Sequence, residues 1–181
     1  MALVTIRGDY PIPAKAGIGL RFQHHEAVLE CPPDVAFMEV HTENYMGGGS
    51  PIRCLEAIRR DIPISLHGVG LSLGGAEGLD QAHLDRIRQV AERIEPALMS
   101  EHIAWSVSNG TYLADLLPLP MTDEALDVVC RHVDQNAEHA AAQDSRREPV
   151  HLHAVPAFDD LRMGVHDRRC GAHRLRHSLR H

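Results

Sequence analysis

The sequence has little of several features that define common protein classes. Only 4% of its 181 residues are aromatic, so aliphatic side chains and alanine must build most of a core. The four cysteines are scattered without a Cys-x-x-Cys pair, which favours reduced thiols over a disulfide framework. No apolar run approaches the roughly 20 residues of a membrane span, and the N-terminus lacks the pattern of a signal peptide. We therefore expect a cytoplasmic protein without a membrane partner.

Phosphate-binding and nucleic-acid-binding signals are also missing. No GxGxxG follows the first predicted strand and GxxxxGK[ST] does not occur, which disfavours a nucleotide-binding sheet. The formal net charge is −7, and the first three-quarters of the chain have no basic stripe. Nucleic acid is therefore not an expected partner.

Short apolar runs alternate with helical patterns along the first 142 residues. The apolar runs predict strands at 16–20, 35–41, 62–67 and 96–102. Periodicity and capping signals predict helices at 24–30, 51–60, 80–94 and 122–142, with a hairpin at 105–112. This alternation is typical of a parallel sheet with right-handed crossovers. Because a complete eightfold barrel takes about 250 residues, we expect an α/β fold, a TIM-like barrel of which only the first four to five βα units are present.

The Leu/Pro-rich segment 113–120 follows the predicted hairpin. We interpret it as a packed connector, with a peptide-binding lip as the alternative.

Charge and periodicity both change near residue 140. Residues 1–139 carry 10 Lys and Arg against 20 Asp and Glu, whereas residues 140–181 carry 8 Arg against 5 Asp and Glu, with six of the 14 histidines. We predict a partial barrel domain at 1–139 and a divergent Arg/His-rich tail at 140–181, disordered or out of frame. A frameshift or truncation of a GC-rich gene explains such a tail, and a Glu-Asn-Pro-like continuation in another reading frame would support it.

Two predicted strands end on a histidine that passes into a turn, at His67 and His102. Side chains at the C-terminal ends of parallel strands meet at one mouth of a barrel, where metal and catalytic groups lie. Each histidine alone fits a hydrogen-bonded structural role, but the pair on successive strand ends favours a metal site.

Polar residues around the neighbouring strand ends complete the candidate site. Alternation places Glu39 and His41 on the same side of their strand, and Glu43 and Asn44 follow in the loop. We predict that these four bind substrate or support the metal ligands, with a solvated polar loop as the alternative. Glu101 adjoins His102 but must point the other way, so we expect it to support the site without binding metal.

Five segments in order carry a family resemblance. They read GIGLR, MEVHTENYMG, SLHGVGLSLG, SEHIAWS and DLLPLPMTDEAL, and they lie within residues 16–139. In these motifs the chain resembles the multinuclear non-heme iron-dependent oxidative enzymes, a family once catalogued as uncharacterised. Its relatives include the iron oxidase of methanobactin biosynthesis and the enzymes that mature copper-binding bufferin peptides.

The resemblance implies a TIM-like barrel that holds two or three iron ions at its C-terminal mouth. It implies iron- and O₂-dependent oxidation of cysteines or other residues in ribosomally made precursor peptides. It also implies a separate partner protein that delivers the peptide. His67 and His102 match family iron ligands, and a mixed histidine and carboxylate set suits such iron chemistry.

The later family motifs are missing. The family's Glu-Asn-Pro segment should fall near residues 147–153, where this chain reads Arg147-Glu148-Pro149-Val150-His151-Leu152-His153. Three hypotheses follow: an active peptide oxidase, an inactive half-barrel fragment, or another metal-dependent barrel such as a sugar isomerase or endonuclease. A homo-oligomer would cover the two open edges of a half barrel. If His151 and His153 replace missing ligands, His153→Ala should lower iron content as much as His67→Ala.

Overall fold

The structure is a computed structural model that describes residues 2–5, 12, 15–141 and 151–154. Its strands are β1 (Ala2–Thr5), β2 (Ile18–Gly19), β3 (Met38–His41), β4 (Ile64–Gly68), β5 (Leu98–Glu101), β6 (Trp105–Ser108), β7 (Thr111–Leu117) and β8 (His151–Ala154). Its α-helices are α1 (His25–Glu30), α2 (Gly49–Ile58), α3 (Gln81–Ile94) and α4 (Asp123–Ala141). Short 3-10 turns cover Phe22–His24 and Thr42–Tyr45.

Four parallel strands form the part of the sheet that carries the candidate site. The six-stranded sheet has the order β2-β3-β4-β5-β1-β8, and the pairs β2–β3, β3–β4 and β4–β5 are parallel. Helices connect these strands, as in the first units of a (β/α) barrel. The predicted TIM-like α/β fold is therefore confirmed as a partial barrel, and the described strands do not close a ring.

The sheet continues past β5 in an order that the sequence did not indicate. β1 pairs antiparallel with β5, with Leu3 opposite Ser100, and β8 pairs antiparallel with β1. Strand β8 (His151–Ala154) is thus the outer strand of the described sheet. It does not lie beside β5 as the next parallel barrel strand, because β1 occupies that edge.

Helix α3 shows how the local sequence fixes the helices. The Asp80 carboxylate accepts a hydrogen bond from the Ala82 amide at 2.8 Å and caps the first turn. Leu84, Ile87, Val90 and Ile94 follow at helical spacing and are buried. The helix ends at Glu95, in the left-handed conformation with φ 46°. Its apolar face packs into a core of aliphatic residues that includes Ile64 and Leu66 of β4.

A second, two-stranded sheet is formed by β6 and β7. Asn109 and Gly110 both have positive φ and make the two-residue turn that the sequence predicts. Strand β7 extends to Leu117, however, and most of its residues are exposed. The prediction of a packed connector at 113–120 is therefore wrong for residues 113–117. The peptide-binding alternative stays a prediction.

Further sequence expectations concern cysteines, membranes and the tail. Cys31 and Cys54 are free thiols, as expected. Within the described part of the chain, every helix is too short or too polar to cross a membrane.

Most of the predicted tail, 140–181, lies outside the described residues, and the division at residue 139 stays a prediction.

Candidate functional site

Three imidazoles lie in a row across the C-terminal ends of neighbouring strands. His41 of β3 is the register partner of His67 of β4, and their ring centroids are 5.8 Å apart. The ring of His102, directly after β5, lies 4.6 Å from that of His67. The parallel register explains this row, because equivalent strand ends meet at one edge. The structure thus brings His67 and His102 together and adds His41.

The imidazole row, formed by His41, His67 and His102, lies on the face of the sheet opposite the helices. Along β3, Met38 and Val40 are buried towards the core, so Glu39 and His41 alternate onto the other face. The Glu39 carboxylate accepts a hydrogen bond of 3.5 Å from the Ser65 hydroxyl on this face. Further along, the Ser100 hydroxyl lies 2.7 Å from Nδ1 of His67. Because Nδ1 is hydrogen-bonded to Ser100, Nε2 is the ring nitrogen of His67 that stays available for a ligand.

Burial favours the neutral form of the His67 and His102 imidazoles. His67 is 7% exposed, and desolvation lowers its pKa, with the Glu39 carboxylate opposing and His102 and His41 adding to the effect. Burial likewise lowers the pKa of His102, and neighbouring His41 adds to it. Both shifts favour the neutral imidazole, which is the form that binds metal ions.

Glu43 lies beneath the loop that follows His67. One oxygen, Oε1, accepts hydrogen bonds from the amides of Val69 at 2.9 Å and Gly70 at 2.8 Å. His83 of α3 approaches the same oxygen at 3.5 Å. Burial alone would raise the pKa of Glu43, but the interactions with His83 and with the two amides outweigh it and hold the pKa below its usual range. Glu43 is therefore an ionised carboxylate. The predicted neighbour Asn44 lies exposed in the same 3-10 turn.

Glu101 occupies the helix-facing side of β5 and is only 4% exposed. Its carboxylate lies over Gly68, accepts a hydrogen bond from the His102 amide at 3.3 Å, and borders a small cavity with Ile87 and Asn136. Burial raises its pKa well above the usual range, the nearby Glu43 charge raises it further, and the amides of His102 and Leu71 oppose this only in part. Glu101 thus points away from the imidazole row, as strand alternation predicts.

The sequence of the chain matches a known protein family. Residues 15–150 match the family described as RiPP precursor modification enzyme MbnB/TglH/ChrH. The chain belongs to this MbnB/TglH/ChrH family. The predicted resemblance to such enzymes is confirmed, and the imidazole row lies wholly within the matched segment.

Curated relatives of this MbnB/TglH/ChrH chain carry the name UPF0276 protein. The relative from Paraburkholderia phytofirmans is 45% identical over 150 residues, which cover 82% of this chain and 46% of that protein. The relative from Rhizobium meliloti is 47% identical over 71% of this chain and 42% of its own length. The relative from Acaryochloris marina is 46% identical over 76% of this chain and 48% of its own length. The chain therefore spans about half the length of the curated relatives that it matches.

The donor types in the row suit the iron that the resemblance implies, although the donor set is incomplete. Neutral imidazoles and carboxylates are the ligands of non-heme iron, and His67 has Nδ1 hydrogen-bonded and Nε2 available, as metal-binding histidines do. Within residues 15–141 no group of three or more His, Cys, Asp or Glu side chains converges closely enough to hold an ion. The described part of this family member supplies two adjacent imidazoles, and a full site needs further ligands.

Two residues at the site, Ser100 and His83, were not predicted from the sequence. Ser100 contacts His67, and its position opposite His67 in the β4–β5 register became visible only in the sheet. His83 contacts Glu43 from α3. The position of His83 could have been predicted from the sequence, because His83 precedes Ile87 by four residues and so lies on the buried face of its helix.

Proposed function

We propose that this chain contributes part of the iron site of a peptide-modifying oxidase, with His67 and His102 as iron ligands. The observation that carries the proposal is the 4.6 Å spacing of the two rings at adjacent strand ends. Membership of a RiPP precursor modification family supports it and disfavours an isomerase or endonuclease. By the same membership, the substrate is a ribosomally made precursor peptide.

The residues of the row have separate roles in this proposal. His67 binds through Nε2, while its Nδ1–H donates to the Ser100 hydroxyl and fixes the direction of the ring. His102 binds from the next strand end. Glu39 and His41 line the same face and contact the peptide or the remaining iron ligands. Iron, when bound, supplies the redox-active centre for oxidation of peptide residues, such as cysteine, by O₂.

Other assignments from the sequence belong to the same proposal. Asn44 is exposed in the 3-10 turn after β3, and in this proposal it contacts the peptide. A partner protein delivers the peptide, and the compartment is the cytoplasm. Glu43 and Glu101 lie behind the imidazoles, where each accepts hydrogen bonds from the neighbouring backbone.

Metal content tests the proposal directly. The 181-residue chain is purified anaerobically after growth with added iron, and iron per chain is measured by mass spectrometry. We expect bound iron in the wild type and a loss of most of it in His67→Ala and in His102→Ala. His24→Ala changes an exposed histidine outside the row and serves as the matched control.

The result also decides between an active enzyme and an inactive fragment. Iron close to two ions per chain, lost in both variants, supports an oxidase site completed by other residues or by a second copy. Wild-type protein without iron, although folded by circular dichroism, contradicts the proposal for this chain and favours the inactive half barrel.

A further inference from the structure

The loop that leaves His67 is flexible by sequence and constrained by one side chain. Gly68 and Gly70 flank Val69, and glycine allows the backbone more conformations than any other residue. A single oxygen of Glu43 accepts the consecutive amides of Val69 and Gly70 at 2.9 and 2.8 Å. Because the carboxylate is ionised, these are charge-assisted hydrogen bonds, which are stronger than neutral ones. The backbone direction directly after His67 therefore depends on Glu43.

His83 holds Glu43 from the side of α3. Its Nε2 lies 3.5 Å from Glu43 Oε1, and its side chain is 14% exposed. A Cβ atom on Gly70 would lie 3.1 Å from His83 and 3.2 Å from Glu43, so the loop is packed tightly between the two. Glu43 Oε2 and His83 Nε2 are buried and make no hydrogen bond with any residue that the structure describes. The hydrogen bonds and the ion-pair contact that the structure describes for this pair are therefore with the Val69 and Gly70 amides and between the two side chains.

We propose that Glu43 and His83 form a positioning pair that sets the direction of the His67 imidazole through the Val69–Gly70 backbone. The proposal rests on the proposed function, in which His67 binds a metal ion. Glu43 fixes the loop and His83 fixes Glu43. Neither residue contacts the metal or the peptide.

The variants separate hydrogen bonding from charge. Glu43→Gln keeps an oxygen that accepts both amides, Glu43→Asp is one methylene too short to reach both, and Glu43→Ala removes the acceptor. His83→Phe keeps the ring volume without the nitrogen. Glu77→Ala is the matched control, because Glu77 also accepts two consecutive amides, those of Asn109 and Gly110 in the hairpin turn. Glu77→Ala therefore removes a carboxylate that accepts two backbone amides at a place outside the site.

The first readout needs no metal. Amide hydrogen exchange of Val69 and Gly70 and the ring resonances of His67 are measured by NMR in metal-free protein. We expect faster exchange and shifted ring resonances in Glu43→Ala and Glu43→Asp. A smaller change of the same kind is expected in His83→Phe and in Glu43→Gln, which keeps the acceptor but loses the charge. Glu77→Ala should behave like wild type. Unchanged exchange and ring resonances in Glu43→Asp, which keeps the charge and most of the side-chain volume, overturn the proposal.

The second readout is the binding of Co²⁺, followed by its visible absorption. Loss of a group that orients a metal-binding histidine lowers metal affinity by about 10- to 100-fold, and we expect this for Glu43→Ala and Glu43→Asp. Glu43→Gln keeps the acceptor without the charge, so we expect it to recover part of the affinity. Wild-type affinity and spectrum in folded Glu43→Ala also overturn the proposal.

The two readouts distinguish the positioning pair from the proposed function. If wild-type protein binds no Co²⁺, or binds it equally well after His67→Ala, the proposed function fails. The NMR result still decides the positioning pair in that case.

Discussion

The carboxylate of Glu101 fills the space that a Cβ atom on Gly68 would occupy. The two residues are register partners on the adjacent strands β4 and β5. The Glu101 carboxylate also accepts a hydrogen bond from the His102 amide. The same amide donates a hydrogen bond to the Gly68 carbonyl at 3.2 Å. Glycine at position 68 is therefore required by close packing beside both proposed ligands.

Gly68→Ala should destabilise the chain by about 1–3 kcal/mol, because overpacking a filled interior displaces its neighbours. Chemical denaturation of wild type and variant measures the loss. Gly47→Ala is the control, since nothing lies within 4 Å of its added Cβ atom. The Gly47→Ala change should lower the free energy of unfolding by no more than about 0.5 kcal/mol. If Glu101 is the cause, Gly68→Ala should cost much less in a Glu101→Ala background, and an equal cost in both backgrounds contradicts this explanation.

Glu101→Gln should become more stable than wild type as the pH rises. The pKa of Glu101 is raised well above 4.5 in the folded chain, so folding keeps a proton that the unfolded chain releases above pH 4.5. Wild-type stability therefore falls with rising pH from that value up to the folded pKa, by at most about 1.4 kcal/mol per pH unit. Glutamine has no titratable proton, so the Glu101→Gln variant does not lose stability in this way as the pH rises.

Urea denaturation in metal-free buffer at pH 5 and pH 8 measures the widening difference between Glu101→Gln and wild type. Glu92→Gln, an exposed change on α3, should show a constant difference from wild type across this range. A constant difference for Glu101→Gln would mean that Glu101 is ionised in the folded chain.

His25 should make the fold sensitive to acid. Burial lowers its pKa from 6.5, and its Nε2 lies 2.9 Å from the Tyr45 hydroxyl. Burial, together with Cys54, raises the pKa of Tyr45 to about 12, so the hydroxyl keeps its proton and donates to neutral His25. Since the unfolded chain takes up a proton below pH 6.5 more readily than the folded chain, the stability due to His25 is lost as the pH falls below 6.5.

His25→Gln retains an acceptor for Tyr45 and cannot be protonated, so it should flatten the loss of stability between pH 7.5 and 5.5. Thermal unfolding at several pH values measures the slope. His24→Gln changes the exposed neighbour and should leave the wild-type slope intact. Equal slopes for the two variants would contradict a role for buried His25.

Local patterns in the sequence predicted most of the parallel sheet and its helices. The end of β3 at His41, the position of His67 one residue before the end of β4, and the cap at Asp80 followed from apolar runs and capping chemistry, which act over a few residues. The opposite directions of Glu101 and His102 followed from strand alternation. These features depend on neighbours in the chain, and such neighbours are visible in a sequence.

Features that depend on distant partners were not predictable in the same way. The four residues of β1 have no alternating pattern, and their pairing with β5 joins segments about 100 residues apart. The contact between His83 and Glu43 joins a helix to a turn 40 residues earlier. The overlap of Glu101 with Gly68 depends on register, which a sequence alone does not give.

The antiparallel pairing of β1 has a consequence for how a complete ring of strands could form. In a (β/α) barrel the hydrogen-bonding groups along the outer edge of β5 pair with the next parallel strand. In this chain residues Ala2, Leu3 and Val4 of β1 already pair with that edge. A polypeptide that supplied the next parallel strand would have to compete with the chain's own N-terminus for β5, and the ring could close only after β1 had dissociated.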